Sequence, residues 1–406
     1  VALDNHKYGD FSPYLLVSTN RGRSWKMITD GIPEKHLVWR LVQDHIRPDL
    51  MFAATEFGVF ATFDAGAAWH KLSGGMPTIS LRDIQIQRRE NDLVAASFGR
   101  GFYVLDDYSA LRDINPEDFE VDAALFKPRD ADWYFPKRPL GYRPKGSQGD
   151  SLFVADNPAF GAVFTYYLST SLETREQARQ TSEAEALESG KSVSFPGWDT
   201  VTEESREEEP EVMLTIKDLQ GNVLRRVPAV NQSGLNRVAW DLRRSFEGPV
   251  EMGNNWRGDP PTGFMVMPGT YTAQLIALHN GQERVLTEPV SFDVKRLRAG
   301  ALPGGSLEEL EAFTSELSDL YGKSSAVRYA IRDAREELDK LATMLERMEQ
   351  PLAAGSSRIF ALRAELFDIE EIVFGNELQS GIGGYEPMSV SSWLGHAVRG
   401  VSNSSY

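Results

Sequence analysis

Cleaving a glycosidic bond takes two carboxyl groups across a cleft, one to protonate the leaving oxygen and one to attack or to activate water. Asp44, Asp49, Glu56, Asp92 and Asp106 qualify by residue type, and of these Glu56 and Asp106 are the catalytic candidates. Glu56 directly follows an expected strand, where a loop begins. A solvated loop carboxylate is the other reading of the same residue. Other chemistries leave less trace. The six histidines, His6, His36, His45, His70, His279 and His396, include no two at helical ligand spacing, and the chain has no cysteine, so no metal site is expected. Neither a Gly-x-Ser-x-Gly elbow nor a phosphate loop occurs, and Phe98-Gly99-Arg100-Gly101 suits a tight turn. No cofactor is expected. Arg257-Gly258-Asp259, beside Trp256, reads as a plain loop, and Asn231 and Asn403 begin glycosylation sequons by spelling.

The elements that would position these residues are short strands. Tyr14–Ser18 and Trp25–Ile28 come first, then Val38–Gln43, Met51–Thr55, Val59–Phe63 and Trp69–Leu72, then Leu81–Gln87, Leu93–Ser97 and Phe102–Asp106. Ala53-Ala54-Thr55-Glu56-Phe57-Gly58 is echoed by Ala95-Ala96-Ser97-Phe98-Gly99. Two turns between strands share one pattern: Ser18, Asn20, Gly22 and Trp25 in the first, Thr62, Asp64, Gly66 and Trp69 in the second. An Asx side chain can accept from the amides that follow it, Gly supplies a positive φ, and Trp opens the next strand and buries a large ring. The two tryptophans are about 44 residues apart, the length of a four-stranded propeller blade.

These turns resemble the Asp-boxes of BNR-type β-propellers, found in sortilin, sialidases and some glycoside hydrolases. The chain as a whole is similar to large secreted bacterial proteins of the sortilin/BNR-repeat kind, often labelled glycosyl hydrolases. The resemblance implies propeller blades, then an immunoglobulin-like domain, then helices, with most of the propeller lying upstream. The expected fold class is therefore mainly β with an α-helical C-terminal segment. About two and a half blades over 1–112 cannot close a ring, since propellers have at least four. Further blades are expected from upstream sequence or another chain. A sialidase likeness would imply an arginine triad; only Arg100 sits where a central loop is expected, and it has no assignable partners.

Residues 113–150, rich in Pro, Arg and Gly, read as a connector with short strands near 122–128 and 133–135. An immunoglobulin-like sandwich is expected over 151–298, from Ala162–Leu168, Val212–Lys217, Val223–Val227, Gly234–Asp241, Gly269–Ala277 and Val290–Val294. The highly charged stretch 171–210 would be an insertion within it, of the composition usual for solvated surface or disorder. Ser306 and Glu309 form a capping box, and Leu310, Phe313, Leu317, Leu320, Val327, Ile331, Leu338 and Leu341 follow three-four spacing. This predicts one long helix, with Gly322 off its seam, paired with a second over 357–374 in a hairpin spanning 303–376. Residues 377–406 read as an irregular tail. Half of the long seam is left for a partner to cover.

With Lys+Arg 43 against Asp+Glu 59, the net charge of -16 over 406 residues argues against nucleic acid and anionic membrane surfaces. No apolar run reaches about 18 residues, so no membrane span is expected. The chain starts without Met, as a processed or partial chain would. Two function classes follow. One is a non-catalytic binding or scaffold protein of the cell envelope or extracellular space, periplasmic or at the cell surface, with a protein or glycan ligand. The other is a glycoside hydrolase whose carboxylates lie largely outside this chain.

Overall fold

Runs of branched and aromatic residues between Gly- and Asx-rich turns form strands here, and the one long run at helical spacing forms a helix. The computed structural model describes residues 1–136, 153–250, 262–298, 304–349, 353–376, 379, 381–382 and 388–403. Its contacts divide the chain into two units: 1–131 with 155–240 and 270–293, and 132–154 with 241–269 and 294–406. The division does not follow the boundary expected at 112. Tyr108, Ala110, Leu111, Ile114 and Phe126 are buried in the same core as Leu81, Ile84 and Leu93, so 113–126 belongs with the strands before it.

The first unit opens with three antiparallel sheets. One holds β1 (Ala2–Asn5), β2 (Asp10–Val17) and β3 (Lys26–Met27). The next runs in order β4 (Val38–Gln43), β5 (Met51–Thr55), β6 (Gly58–Thr62), β7 (His70–Leu72). The third holds β8 (Leu81–Gln87), β9 (Asp92–Ser97) and β10 (Phe102–Leu105). The sheets do not close on one another. The middle sheet is covered on both faces: every residue of β5 and β6 is buried. Because side chains alternate along a strand, Met51 and Ala53 enter one core with Leu15, Ile28 and Trp69, while Phe52 and Ala54 enter another with Leu81 and Ile84.

The two repeated turns share one hydrogen-bond scheme. Thr62 Oγ1 accepts from Gly66 N (2.9 Å) and Asp64 Oδ1 from Ala68 N (3.0 Å); Ser18 Oγ accepts from Gly22 N (2.7 Å) and Asn20 Oδ1 from Ser24 N (2.9 Å). Gly66 and Gly22 take φ of 93° and 82°, where a side chain would be strained. The tryptophans differ. Trp69 is buried, its Nε1 donates to Ile28 O at 2.9 Å, and its main-chain N donates to Asp30 O at 2.9 Å. Trp25 is 50% exposed, contrary to the expectation of two buried rings. No described segment lies over it as 28–32 lies over Trp69.

Asp44, between β4 and β5, is buried and takes four neighbours. Ile46 N and Arg47 N donate to Oδ2 at 2.9 and 2.7 Å, Tyr108 Oη donates to Oδ1 at 2.5 Å, and Arg112 donates to both oxygens. Arg47 in turn donates to the carbonyls of Arg112 and Ile114 at 2.5 Å. Burial pushes the Asp44 carboxyl up, but the hydrogen bonds from Arg112, the Arg47 amide, Tyr108 and the Ile46 amide outweigh it and hold it well below the usual carboxylate range.

The rest of the first unit holds β11 (Ala123–Leu125), β13 (Ala162–Leu168) and β16 (Gly234–Trp240) in one sheet, with β13 central. A second sheet carries β14 (Glu211–Lys217) between β15 (Val223–Ala229) and β19 (Gly269–His279), with β20 (Gln282–Val285) beside β19 and β21 (Val290–Arg296) on its far side. Phe164 and Trp240 of the first meet Phe292 of the second edge-on, with centroids 5.1 and 6.0 Å apart. The charged stretch is ordered, against its composition: α1 (Arg175–Glu188) starts at a Thr174–Gln177 capping box, and α2 (Trp198–Glu204) is held to it where Arg179 donates to both oxygens of Glu204. Glu207 pairs with His279 at 2.9 Å. Polar pairing within the segment and to His279, Asn280 and Asn231, rather than apolar burial, orders it.

In the second unit β12 (Ala131–Trp133) contributes Trp133, whose Nε1 donates to Val266 O at 2.6 Å. The short pair β17 (Arg243–Ser245) and β18 (Thr262–Met265) lies against α3 (Leu307–Glu346). The Ser306–Glu309 capping box is present. Gly322 is not a tolerated defect off the seam: a Cβ there would sit 3.0 Å from Glu247 O, so the close approach of that backbone requires glycine. α4 (Ala353–Phe374) packs on α3 and ends where Gly375, at φ 88°, donates to Glu371 O. The expected irregular tail contains a helix, α5 (Val390–Asn403), in contact with both α3 and α4. Val390, Trp393, Leu394, Ala397 and Val401 give it an apolar face that Gly395 and Gly400, poor helix formers, disguise in the sequence.

Two outcomes follow. Trp69→Ala costs about 3–5 kcal/mol in urea unfolding, as for other buried aromatic truncations, whereas Trp25→Ala changes stability by less than about 1 kcal/mol. Equal losses at both positions would contradict the burial difference. Asp44 is depressed in the folded state, so its contribution is complete above the unfolded carboxyl value of about 4 and is lost as pH falls below it. Asp44→Asn leaves Arg112 buried without its anion, costs about 3–5 kcal/mol at neutral pH, and flattens the acid limb of a stability–pH curve. An unchanged acid limb would refute this role.

Candidate functional site

The functional candidate grows out of the repeat in the second and third sheets. Val38 pairs with Thr55 and Leu81 with Ser97, so Trp39 and Arg82 occupy matching places near the start of β4 and β8. Glu56-Phe57 and Phe98 follow β5 and β9 at the same ends. The adjacent packing of β4 and β5 on β8 brings these matching ends together.

Their side chains make one cluster. Glu56 Oε2 accepts from Trp39 Nε1 at 2.9 Å and from Ser80 Oγ at 3.0 Å. The Arg82 guanidinium lies 3.8 Å from the Trp39 ring centroid and 5.1 Å from that of Phe98. Its Nη2 is 3.9 Å from Glu56 Oε2, and it makes no hydrogen bond among the described residues. Phe98 is 69% exposed and Phe57 39%. His36 meets Phe57 edge-on at 4.9 Å, and His6 meets Trp39 at 5.4 Å. Arg100, in the turn after Phe98, is exposed.

This arrangement suits recognition. The guanidinium lies over the Trp39 ring with no hydrogen bond made among the described residues, which leaves its N–H groups for carboxylate or other acceptor groups. Phe98 adds an apolar face. Glu56 is positioned by two donors rather than left as a free loop carboxylate.

Asp106 is elsewhere. Leu105 pairs with Leu93 and Gln87 with Asp92, which places Asp106 at the far end of the third sheet from Arg82. At about 3.3 Å per residue, β8 separates the two ends by roughly 20 Å, well beyond the about 5–10 Å of a glycosidase pair. Glu56 and Asp106 therefore do not face each other. Burial and the charge of Asp92 push the Asp106 carboxyl up, while Arg237 and Arg129 pull it down. Arg237 Nη1 donates to the Asp106 carbonyl at 2.7 Å, and Asp92 accepts from Asp107 N at 3.0 Å. These groups close a turn.

The remaining residues singled out by type have structural partners. Asp44 is the buried anchor described above; Asp49 is exposed, and it is its main-chain O that accepts from Ala65 N in the second repeated turn. Asn231 is bonded at both ends of its amide to the main chain of Leu172. Arg257-Gly258-Asp259 lies outside the described residues, as does all of 137–152. Among the described residues no three His, Asp or Glu gather as a metal site. Trp39, Ser80 and Arg82 escaped the sequence reading, which placed Phe98 only in a tight turn. The echo of 53–58 in 95–99, extended back to the strand starts, was the signal that could have found them.

No protein-family model matches the sequence, and no curated protein does. Among solved structures the chain is similar to PorZ, a surface component of the type-IX secretion system of Porphyromonas gingivalis, at 11% identity over 71% of this chain and 36% of that one, with a TM-score of 0.21. It is also similar to the extracellular domain of a hybrid two-component system from B. thetaiotaomicron, at 11% identity over 68% and 28%, with a TM-score of 0.20. The chain spans about a third of the length of these structures.

Proposed function

We propose that this chain is a non-catalytic binding or scaffold protein of the extracellular space or cell envelope. In this reading the three N-terminal sheets are consecutive blades of an Asp-box β-propeller, and the facing sheets after them form an immunoglobulin-like domain. The cluster around Arg82 is the ligand face, taking a protein or glycan that offers acceptor oxygens to the guanidinium and an apolar surface to Phe98. The observation that carries the proposal is that guanidinium, stacked on Trp39 beside exposed Phe98 with its N–H groups unspent. One further point supports it: Glu56 and Asp106 are too far apart to act together.

Arrayed glycans and peptides probed with the purified chain test the reading. Arg82→Ala and Phe98→Ala are each expected to weaken any captured ligand by roughly 30-fold, the cost of a central contact, while circular dichroism stays unchanged. Ligands retained at full strength by both variants would place binding elsewhere. The same protein is expected to turn over no aryl glycoside, sialoside or xyloglucan oligosaccharide. Turnover abolished by Glu56→Ala would replace this proposal with a glycoside hydrolase.

A further inference from the structure

Glu56 and Arg82 stand side by side, each with hydrogen-bonding capacity left over. The main chain of Glu56 is fixed where its N donates to Leu37 O at 3.0 Å. Both donors to its side chain, Trp39 Nε1 and Ser80 Oγ, go to one oxygen, Oε2. Oε1 accepts no hydrogen bond among the described residues, and the side chain is 29% exposed. Ser80 also fixes the neighbouring aromatic residue, since its carbonyl accepts from Phe98 N at 2.9 Å. Arg82 Nη2 is 3.9 Å from Glu56 Oε2, too long for a hydrogen bond, and the Arg82 side chain is 41% exposed. One small area thus offers an acceptor, a set of donors and an exposed phenyl ring.

The carboxylate beside the guanidinium decides what this set can take. A ligand anion reaching the Arg82 N–H groups also comes close to Glu56, so attraction and repulsion oppose each other in its binding. A ligand that only accepts leaves Glu56 Oε1 without a donor once water is displaced, and that costs affinity. A hydroxyl both donates and accepts. Two hydroxyls on adjacent carbons satisfy both groups at once, one donating to Glu56 Oε1 and the other accepting from Arg82. A sugar ring carries such a pair together with a C–H face that can lie against Phe98, which matches a site of one apolar surface and a few convergent polar groups.

We propose that the Arg82 cluster binds an uncharged pyranose through a vicinal diol, with Glu56 and Arg82 taking the two hydroxyls and Phe98 the C–H face of the ring. This rests on the reading of that cluster as the ligand face and narrows its ligand to neutral saccharides. Glu56 is then the residue that selects against anions. The competing outcome is a peptide carboxylate held by Arg82.

The experiment uses the whole chain, titrated calorimetrically with neutral hexasaccharides of glucose, mannose and xylose, and with an acetylated peptide ending in a free carboxylate. At least one hexasaccharide is expected to bind at millimolar concentration or below, equally well at low and high salt, since no ligand charge is there to be screened. Its fully O-methylated form keeps the acceptor oxygens but has no donor for Glu56, and is expected to bind roughly tenfold more weakly or worse. Glu56→Gln turns a charge-assisted hydrogen bond into a neutral one and weakens the hexasaccharide by roughly tenfold, with circular dichroism unchanged. The same substitution removes a repulsion and strengthens any anion held by Arg82, so the two ligand classes respond with opposite sign. A peptide that binds where no hexasaccharide does, more tightly in Glu56→Gln and not in Arg82→Ala, overturns this inference and leaves the ligand face standing. Failure of every hexasaccharide to bind, or full-strength binding of the methylated form, also overturns it. Hexasaccharide binding that survives both Arg82→Ala and Phe98→Ala overturns the ligand face itself, and this inference with it.

Discussion

The central strands β5 and β6 of the sheet β4–β7 have no solvent face, and the N-terminal half of the chain depends on that. Val59 and Ala61 meet one core, Phe60 the other, and every residue of β5 and β6 is buried. An antiparallel sheet alone would leave one side wet; this one needs a neighbour on each. The first and third sheets supply them. Trp69 locks one of these contacts by donating to Ile28 in the segment that leads from the first sheet into the second. At Gly31 a Cβ would sit 2.3 Å from Trp69 O, so the link passes as close as backbone allows.

The carboxylates follow from the same packing. Loops between buried strands carry polar backbone that must be satisfied, and acidic side chains do much of this. Asp44 satisfies two amides and binds Arg112 and Tyr108; Asp64 satisfies an amide of its own turn; Asp92 satisfies Asp107 N. An acidic residue in a loop of this fold is thus more often an acceptor for the chain than a reagent. Glu56 differs in kind, because its partners are the side chains of Trp39 and Ser80 at an exposed aromatic edge. That edge is where recognition is possible.

The helical unit is organised by close approach at one side of α3 and exposure at the other. Gly322 admits the backbone at Glu247, and Ile331 and Leu338 are buried on the side that meets α4. Each contact consumes only one heptad position. The complementary position stays apolar along the whole helix, a costly surface for a chain of this charge unless something covers it.

Much of the local structure was legible in the sequence, because it depends on residues close together along the chain. Strands β4, β5, β8 and β13 are read with their observed limits from alternation and turn residues, and both capping residues of α3 are where Ser306 and Glu309 place them. The hydrogen bonds of the two repeated turns involve four residues each, all within one short stretch. What the tertiary structure alone decided is which copy of a local pattern is used. Trp25 and Trp69 close the same local pattern, yet only Trp69 has a segment over it. Glycine at 322 is penalised by propensity and required by a backbone about 75 residues away in sequence, α5 forms despite its glycines because α3 and α4 offer it a surface, and Arg82 becomes a recognition candidate only when Trp39 and Phe98 close around it. In each case the deciding energy is a contact between distant residues, which no local window of sequence contains.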